Sequence, residues 1–175
     1  MNFFHATDPV TGERVHSGES GEVVAHEAAH AILDGLRPGY LWAWGPDVGG
    51  FHESFGDILA MLVALQDDRV VDRVVEQTGG DLSKPNLAAH LGEELGVAIN
   101  HTEGRNVTGG DWTRTARNDF TWKDPSTLPH RGGPDELGNE VHSWSRLWTG
   151  AFYDGLKAMT DRHMAAGMSP ADERV

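Results

Sequence analysis

Apolar residues along this chain recur mostly three or four positions apart rather than at every second position, and that spacing predicts helices. Ser20 stands where an N-cap would. Val23, Ala25, Ala28, Ala29, Ile32 and Leu33 follow it, so a helix is expected from Gly21 to about Leu36. Glu22 falls in its first turn, where a negative charge suits the helix dipole, and Pro38-Gly39 stops it. Its apolar residues occupy much of the circumference, so this helix is expected to be buried. After a turn-rich stretch, "YLWAWGPDVGG" (40–50), a second helix is expected from about Phe51 through Leu65. An amphipathic continuation, "DDRVVDRVVEQTG", follows a kink and ends at Gly79-Gly80.

"KPNLAAHLGEELGVAI" (84–99) has helical spacing with Pro85 in its first turn, and 139–167 reads as a last long helix. Residues 1–20 read as a strand or loop lead-in. Residues 100–139 are dense in glycine and proline without periodicity and read as loop, of a length that is usually functional. The expected fold is mainly α, with little strand and no internal repeat.

Composition narrows the functional classes. A chain of 175 residues suits one domain with a real core. Fourteen basic residues against 27 acidic ones, a net charge of −13, argue against nucleic acid and anionic membrane as partners. With no cysteine, disulfides, thiolate catalysis and cysteine-type zinc sites are excluded. The longest apolar run, "FGDILAMLVAL", is too short to span a membrane and is interrupted by Asp57. The start "MNFFHATDPV" lacks the layout of a signal peptide, so the chain by itself suggests a cytoplasmic location. The six tryptophans are expected to divide between the core and the walls of a cleft.

The pattern "HEAAH" adds candidate chemistry. His26 and His30 are four apart, so on a helix they project from one face and can reach one Zn²⁺, with Glu27 beside the metal to take a proton from water. The competing reading is a solvated helix face. Against it stand the small apolar neighbours, because unpaired polar groups in a buried helix are costly. The next helix supplies Glu53 and Asp57, again four apart. Glu53 could complete a two-His, one-Glu zinc site, and Asp57 could accept the remaining N–H of a ligand histidine.

"VVAHEAAHAILDGL" followed by "HESFGDIL" resembles the gluzincin metallopeptidases, in particular the thermolysin-like family. The resemblance implies a zincin-type active-site helix packed on a second helix that carries the glutamate ligand. It implies zinc ligands His26, His30 and Glu53, general base Glu27 and the supporting carboxylate Asp57, acting on a peptide or protein substrate. "TRTARNDFTWKDPSTLP" resembles the segment holding the family's substrate-binding arginine, and counting back from Asp124-Pro125 favours Arg114 over Arg117. "ELGNEVHSWSRLWTGAFYDGL" resembles the segment whose histidine stabilises the transition state, implying His142, with Asp135 and Glu136 the nearest acids to orient it. The family's active-site tyrosine has only Tyr40 as a nearby candidate. The resemblance covers about 20–160. Most of the family's N-terminal β-rich half and its final helices have no counterpart, so a catalytically silent zinc-held binding module, or a fragment of a larger peptidase, is the competing expectation. The family implies secretion.

Other polar groups take plainer readings. His52 is expected to be a polar neighbour of Glu53 on a different face, and His5, His16, His90, His101, His130 and His163 lack a partner at ligand spacing. Asp67 and Asp68 fit a solvated helix face better than a calcium site, which needs six or more converging oxygens. Gly109-Gly110 and Gly132-Gly133 are expected to be turns.

Overall fold

The computed structural model describes residues 3–43 and 45–167, without the side chains of Leu41 and Glu94. The lead-in is a hairpin in which β1 (His5–Thr7) pairs antiparallel with β2 (Arg14–His16). Asp8 shapes its turn by accepting the N–H groups of Val10 at 2.8 Å and Thr11 at 3.1 Å. Helix α1 (Gly21–Leu36) has the predicted bounds, and Ser20 caps it by accepting the Val23 N–H at 3.4 Å. It is less buried than expected. Ala29 and Leu33 are buried, but Val24, Ile32 and Leu36 are exposed. The reason is that α2 covers one side of α1, while the short turns at Ser17–Glu19 and Pro38–Trp42 cover its ends.

Helix α2 (Pro46–Ala64) starts at Pro46 rather than at Phe51. Proline suits a first helical turn, where its missing N–H has no intrahelical role. The glycines that interrupt the apolar pattern here are close-packing positions: a Cβ on Gly50 would lie 2.5 Å from Trp144 Cδ1, and one on Gly49 would meet Val141. The kink after Leu65 is real, since α3 (Asp68–Thr78) leaves α2 at 96°. Asp67 caps α3 through the Arg69 N–H at 2.9 Å, and Gly79, at φ +66°, ends it in the left-handed region that glycine tolerates.

The helix expected over 84–99 is shorter and later, α4 (Glu93–Glu103). Asn86 turns the preceding segment into a tight bend by accepting the Ala89 N–H at 3.2 Å. His90–Leu91 then forms β3, paired antiparallel with β4 (Arg114–Thr115). This two-residue pairing matters because it sets Arg114 against α2. The rest of 104–140 is mainly loop, as expected, but it is pinned. The Arg146 guanidinium donates to the Pro134 carbonyl at 2.6 Å and to the Glu136 carbonyl at 2.5 Å.

Helix α5 (Val141–Ala165) packs on α2 across from α1, so α2 is the central element of a mainly helical fold. Its core joins Met61, Val74, Leu82, Ala89, Ala116 and Tyr153. Of the described tryptophans only Trp144 is fully buried. Trp42, Trp122 and Trp148 are exposed, Trp112 stacks on His90, and none lines the cleft described below; Trp44 lies outside the described residues. No single helix among the described residues is long and apolar enough to cross a membrane.

Candidate metal centre

His26 and His30 project from the face of α1 that meets α2, one helical turn apart, with ring centroids 4.6 Å apart and nearly perpendicular planes. Glu53 faces them from α2. His26 Nε2 is 3.3 Å from Glu53 Oε2, His30 Nε2 is 3.6 Å from Oε1, and one ligand atom from each residue lies within 4.8 Å of the others. Gly56 permits this approach, because a Cβ there would lie 2.5 Å from His26 Nδ1. A side chain at position 56 would push the imidazole out of its place.

Each imidazole is held from behind. His26 Nδ1 lies 3.0 Å from Asp57 Oδ1, as the sequence suggested. His30 Nδ1 lies 2.6 Å from His52 Nδ1, and His52 Nε2 lies 2.8 Å from Asp34 Oδ1. One proton arrangement satisfies this chain: His52 Nε2–H donates to Asp34, and His30 Nδ1–H donates to His52 Nδ1. His30 then carries its proton on Nδ1 and turns an Nε2 lone pair toward Glu53, the state a metal ligand needs, and His26 reaches the same state once it keeps only the Nδ1 proton shared with Asp57. The sequence reading of His52 as a neighbour pointing elsewhere missed this role. Its signal was present, since Asp34 is four residues beyond His30 and so lies on the same helix face.

With no metal bound, the surrounding carboxylates favour a second proton on His26, which a metal would have to displace. Burial by itself would lower the His26 pKa, but Asp57 and Glu53 outweigh it and raise it to about 9. Burial dominates at His30 and lowers its pKa. Burial opposes the charged forms of Glu53 and Asp57, yet neighbouring cations bring each to about 2: chiefly His26, His142 and Arg114 at Glu53, and Arg114 and His26 at Asp57.

One atom remains unanswered. Glu53 Oε2 is buried and accepts no hydrogen bond, although His26 Nε2 and His142 Nε2 each stand 3.3 Å away. A carboxylate oxygen that faces two imidazole nitrogens at ion-pair distance, with Arg114 Nη2 3.8 Å away, and makes no hydrogen bond suits a metal ion as well as it suits a proton on those rings. Two nitrogens and one carboxylate oxygen form a donor set that zinc takes in three-ligand sites with an open fourth position. The residues present therefore fit the metal.

The remaining predicted residues divide. Arg114 reaches the centre from β4, donating from Nε to Asp57 Oδ2 at 2.9 Å and from Nη2 to Oδ1 at 2.5 Å. Arg117, the other candidate, points instead to the Ser83 carbonyl at 3.4 Å. His142 stands at the start of α5, half exposed, beside Glu53. Neither Asp135 nor Glu136 orients it. Glu140 does, with Oε1 2.6 Å from His142 Nδ1 and Oε2 accepting the Ser143 N–H at 3.2 Å. Asp135 and Glu136 belong to the loop segment whose carbonyls Arg146 binds, whereas Glu140 caps the helix that carries His142. An acid at an N-cap, two residues before the histidine, was the signal that could have found it. Tyr40 is not brought to the centre. Its ring packs edge-on against Phe51 at 6.3 Å, and it does not line the cleft.

Glu27 does line it, together with Glu22, His26, Glu53, Arg114 and His142, in a cleft of about 170 Å³ whose apolar wall includes Phe4, Val23, Leu91 and Leu95. No other histidine, aspartate or glutamate among the described residues joins a metal-sized cluster; Asp67, for one, is occupied as the α3 cap and ion-paired with Arg69. Compared with protein-family models, with curated proteins and with solved structures, the chain matches none.

Proposed function

We propose that the chain is a zinc-dependent hydrolase. More particularly, we read it as a metalloendopeptidase of the thermolysin-like type, cleaving bonds in peptide or protein substrates. The observation that carries this reading is the convergence of His26, His30 and the orphaned Glu53 carboxylate on one point, with Glu27 on the same cleft wall.

Zinc held by His26, His30 and Glu53 would supply Lewis acidity, polarising a carbonyl and making water acidic near neutral pH. Glu27 accepts the proton of the attacking water and returns it to the departing amine. His142, its ring held through Nδ1 by Glu140, presents Nε2 to the developing oxyanion. The described bonds of Arg114 engage Nε and Nη2 and leave Nη1 for a substrate carbonyl. Asp57 thus supports two partners at once, the His26 ring and the Arg114 guanidinium.

The test is cleavage of casein by the zinc-loaded chain and by Glu27→Gln. The variant is expected to keep stoichiometric zinc and to lose activity by at least about a hundredfold. If the wild-type chain with full zinc occupancy cleaves nothing, the peptidase reading fails and a zinc-held binding module takes its place.

A further inference from the structure

Most charged groups lining the cleft are spent on one another: Asp57 on Arg114 and His26, and Glu53 beside His26 and His142. Glu22 is different. It lies on α1 four residues before His26, and one carboxylate oxygen accepts the Gly92 N–H at 3.1 Å. Burial, aided by the negative charges of Glu93 and Asp57, pushes its carboxyl above the usual carboxylate range. Around it the cleft wall is apolar, with Val23, Leu91 and Leu95. A half-buried acid beside apolar cleft walls, near two other acids and paired with no cation among the described residues, is chemically suited to a positive charge carried on a hydrocarbon stem.

We propose that Glu22 is a specificity-determining residue: its carboxylate receives the cationic end of a lysine or arginine of the substrate, whose stem lies along Val23, Leu91 and Leu95. The inference rests on the peptidase reading of the same cleft. Four residues of helix place Glu22 about 6 Å along α1 from His26, and an extended peptide advances about 3.3–3.6 Å per residue. For a substrate that runs along α1, the basic residue would then stand within about two positions of the scissile bond. The chain's net charge of −13 also draws cationic peptides toward it.

Two measurements test this. In the first, casein is digested by the zinc-loaded chain and the new termini are sequenced by mass spectrometry. Cleavage is expected to concentrate within two residues of Lys or Arg. Glu22→Gln, which keeps an acceptor for the Gly92 N–H, is expected to lower that preference on the order of tenfold, and Glu22→Lys to shift it toward Asp and Glu. An unchanged site pattern in both variants overturns the proposal.

The second measurement needs no cleavage. Zinc-loaded Glu27→Gln is titrated by calorimetry with acetyl-Gly-Leu-Lys-amide and with acetyl-Gly-Leu-Leu-amide. The lysine peptide is expected to bind on the order of tenfold tighter, and the difference to vanish when Glu22→Gln is added. Equal affinity for the two peptides overturns the role of Glu22 whatever the chain cleaves. Tighter binding of the lysine peptide by a chain that cleaves nothing upholds it and removes only the peptidase reading.

Discussion

Two polar clusters are packed against α2 and α5, and their interiors differ. In one, Asn86 donates to the Tyr153 hydroxyl at 2.7 Å and to the Lys84 carbonyl at 2.8 Å, while Tyr153 donates to the Leu82 carbonyl at 3.0 Å. Each donor there ends on an acceptor of the same chain. In the other, the outer ring is just as well paired, through Asp57, His52, Asp34 and Glu140, but the bonds stop at the centre. The Nε2 atoms of His26 and His30 face a carboxylate with an orphaned oxygen. A network closed at its middle stabilises a fold. One closed only at its rim holds its inner atoms in place for something else.

Removing one member of each cluster should give opposite readouts. Glu53→Ala is expected to abolish stoichiometric zinc, measured by elemental analysis, and to make the melting temperature insensitive to chelator. Tyr153→Phe leaves Asn86 and the Leu82 carbonyl short of a partner. It is expected to cost about 1–3 kcal/mol, or roughly 2–4 °C per kcal/mol, with zinc stoichiometry unchanged. Loss of zinc from Tyr153→Phe while it is still folded would erase the distinction between the two clusters.

Gly56→Ala attacks the centre without touching a ligand. The added methyl falls 2.5 Å from His26 Nδ1, so either the ring or α2 must move. The expected cost is about 1–3 kcal/mol of stability together with a large loss of zinc affinity, read by competition with a chromogenic chelator. Wild-type affinity in this variant would mean that the ring finds another place from which to bind.

These residues also show what was legible in the sequence. His26, His30, Glu53 and Asp57 could be found because four-residue spacing on a helix puts side chains on one face whatever surrounds them. The α1 bounds were legible for a similar reason, since capping by Ser20 is local. The start of α2 was not, because Gly49 and Gly50 are selected by their distance to α5 and look like loop in the sequence. The strand pair that positions Arg114 was hidden too. It joins His90–Leu91 to Arg114–Thr115 across more than twenty residues, and two residues per strand leave no period to read. His52 was missed because its contacts with His30 and Asp34 depend on how α1 and α2 meet, whereas Glu140 left a local signal, an acid at the N-cap two residues before His142.

His52→Ala should have a smaller effect. It removes the acceptor behind His30 Nδ1 and frees that ring to turn or to change tautomer. Zinc affinity is expected to fall about 10–100-fold, a typical cost for the partner of a ligand histidine. Asp34→Asn is expected to lie between this variant and wild type. Equal affinity in all three proteins would reduce the chain from Asp34 to His30 to packing.

The last comparison is a dependence on pH, and its sign differs between metal-free and zinc-loaded protein. His26 in the folded state has its pKa raised to about 9 from 6.5, so its contribution to metal-free stability is fully present below pH 6.5 and is lost as pH rises through 9. Glu53 and Asp57, lowered to about 2, contribute above their ordinary values near 4 and lose that only as pH falls toward 2, outside this window. Burial raises the Tyr153 pKa above 10, so the closed cluster does not titrate there either. Urea midpoints of the metal-free chain are therefore expected to decline from pH 6.5 to 9. Zinc bound at the proposed site would have to displace the His26 proton, so over the same range its affinity is expected to rise, by up to about tenfold per pH unit. Parallel rather than opposite trends would mean that zinc does not compete with that proton, and that His26 is not where the metal binds.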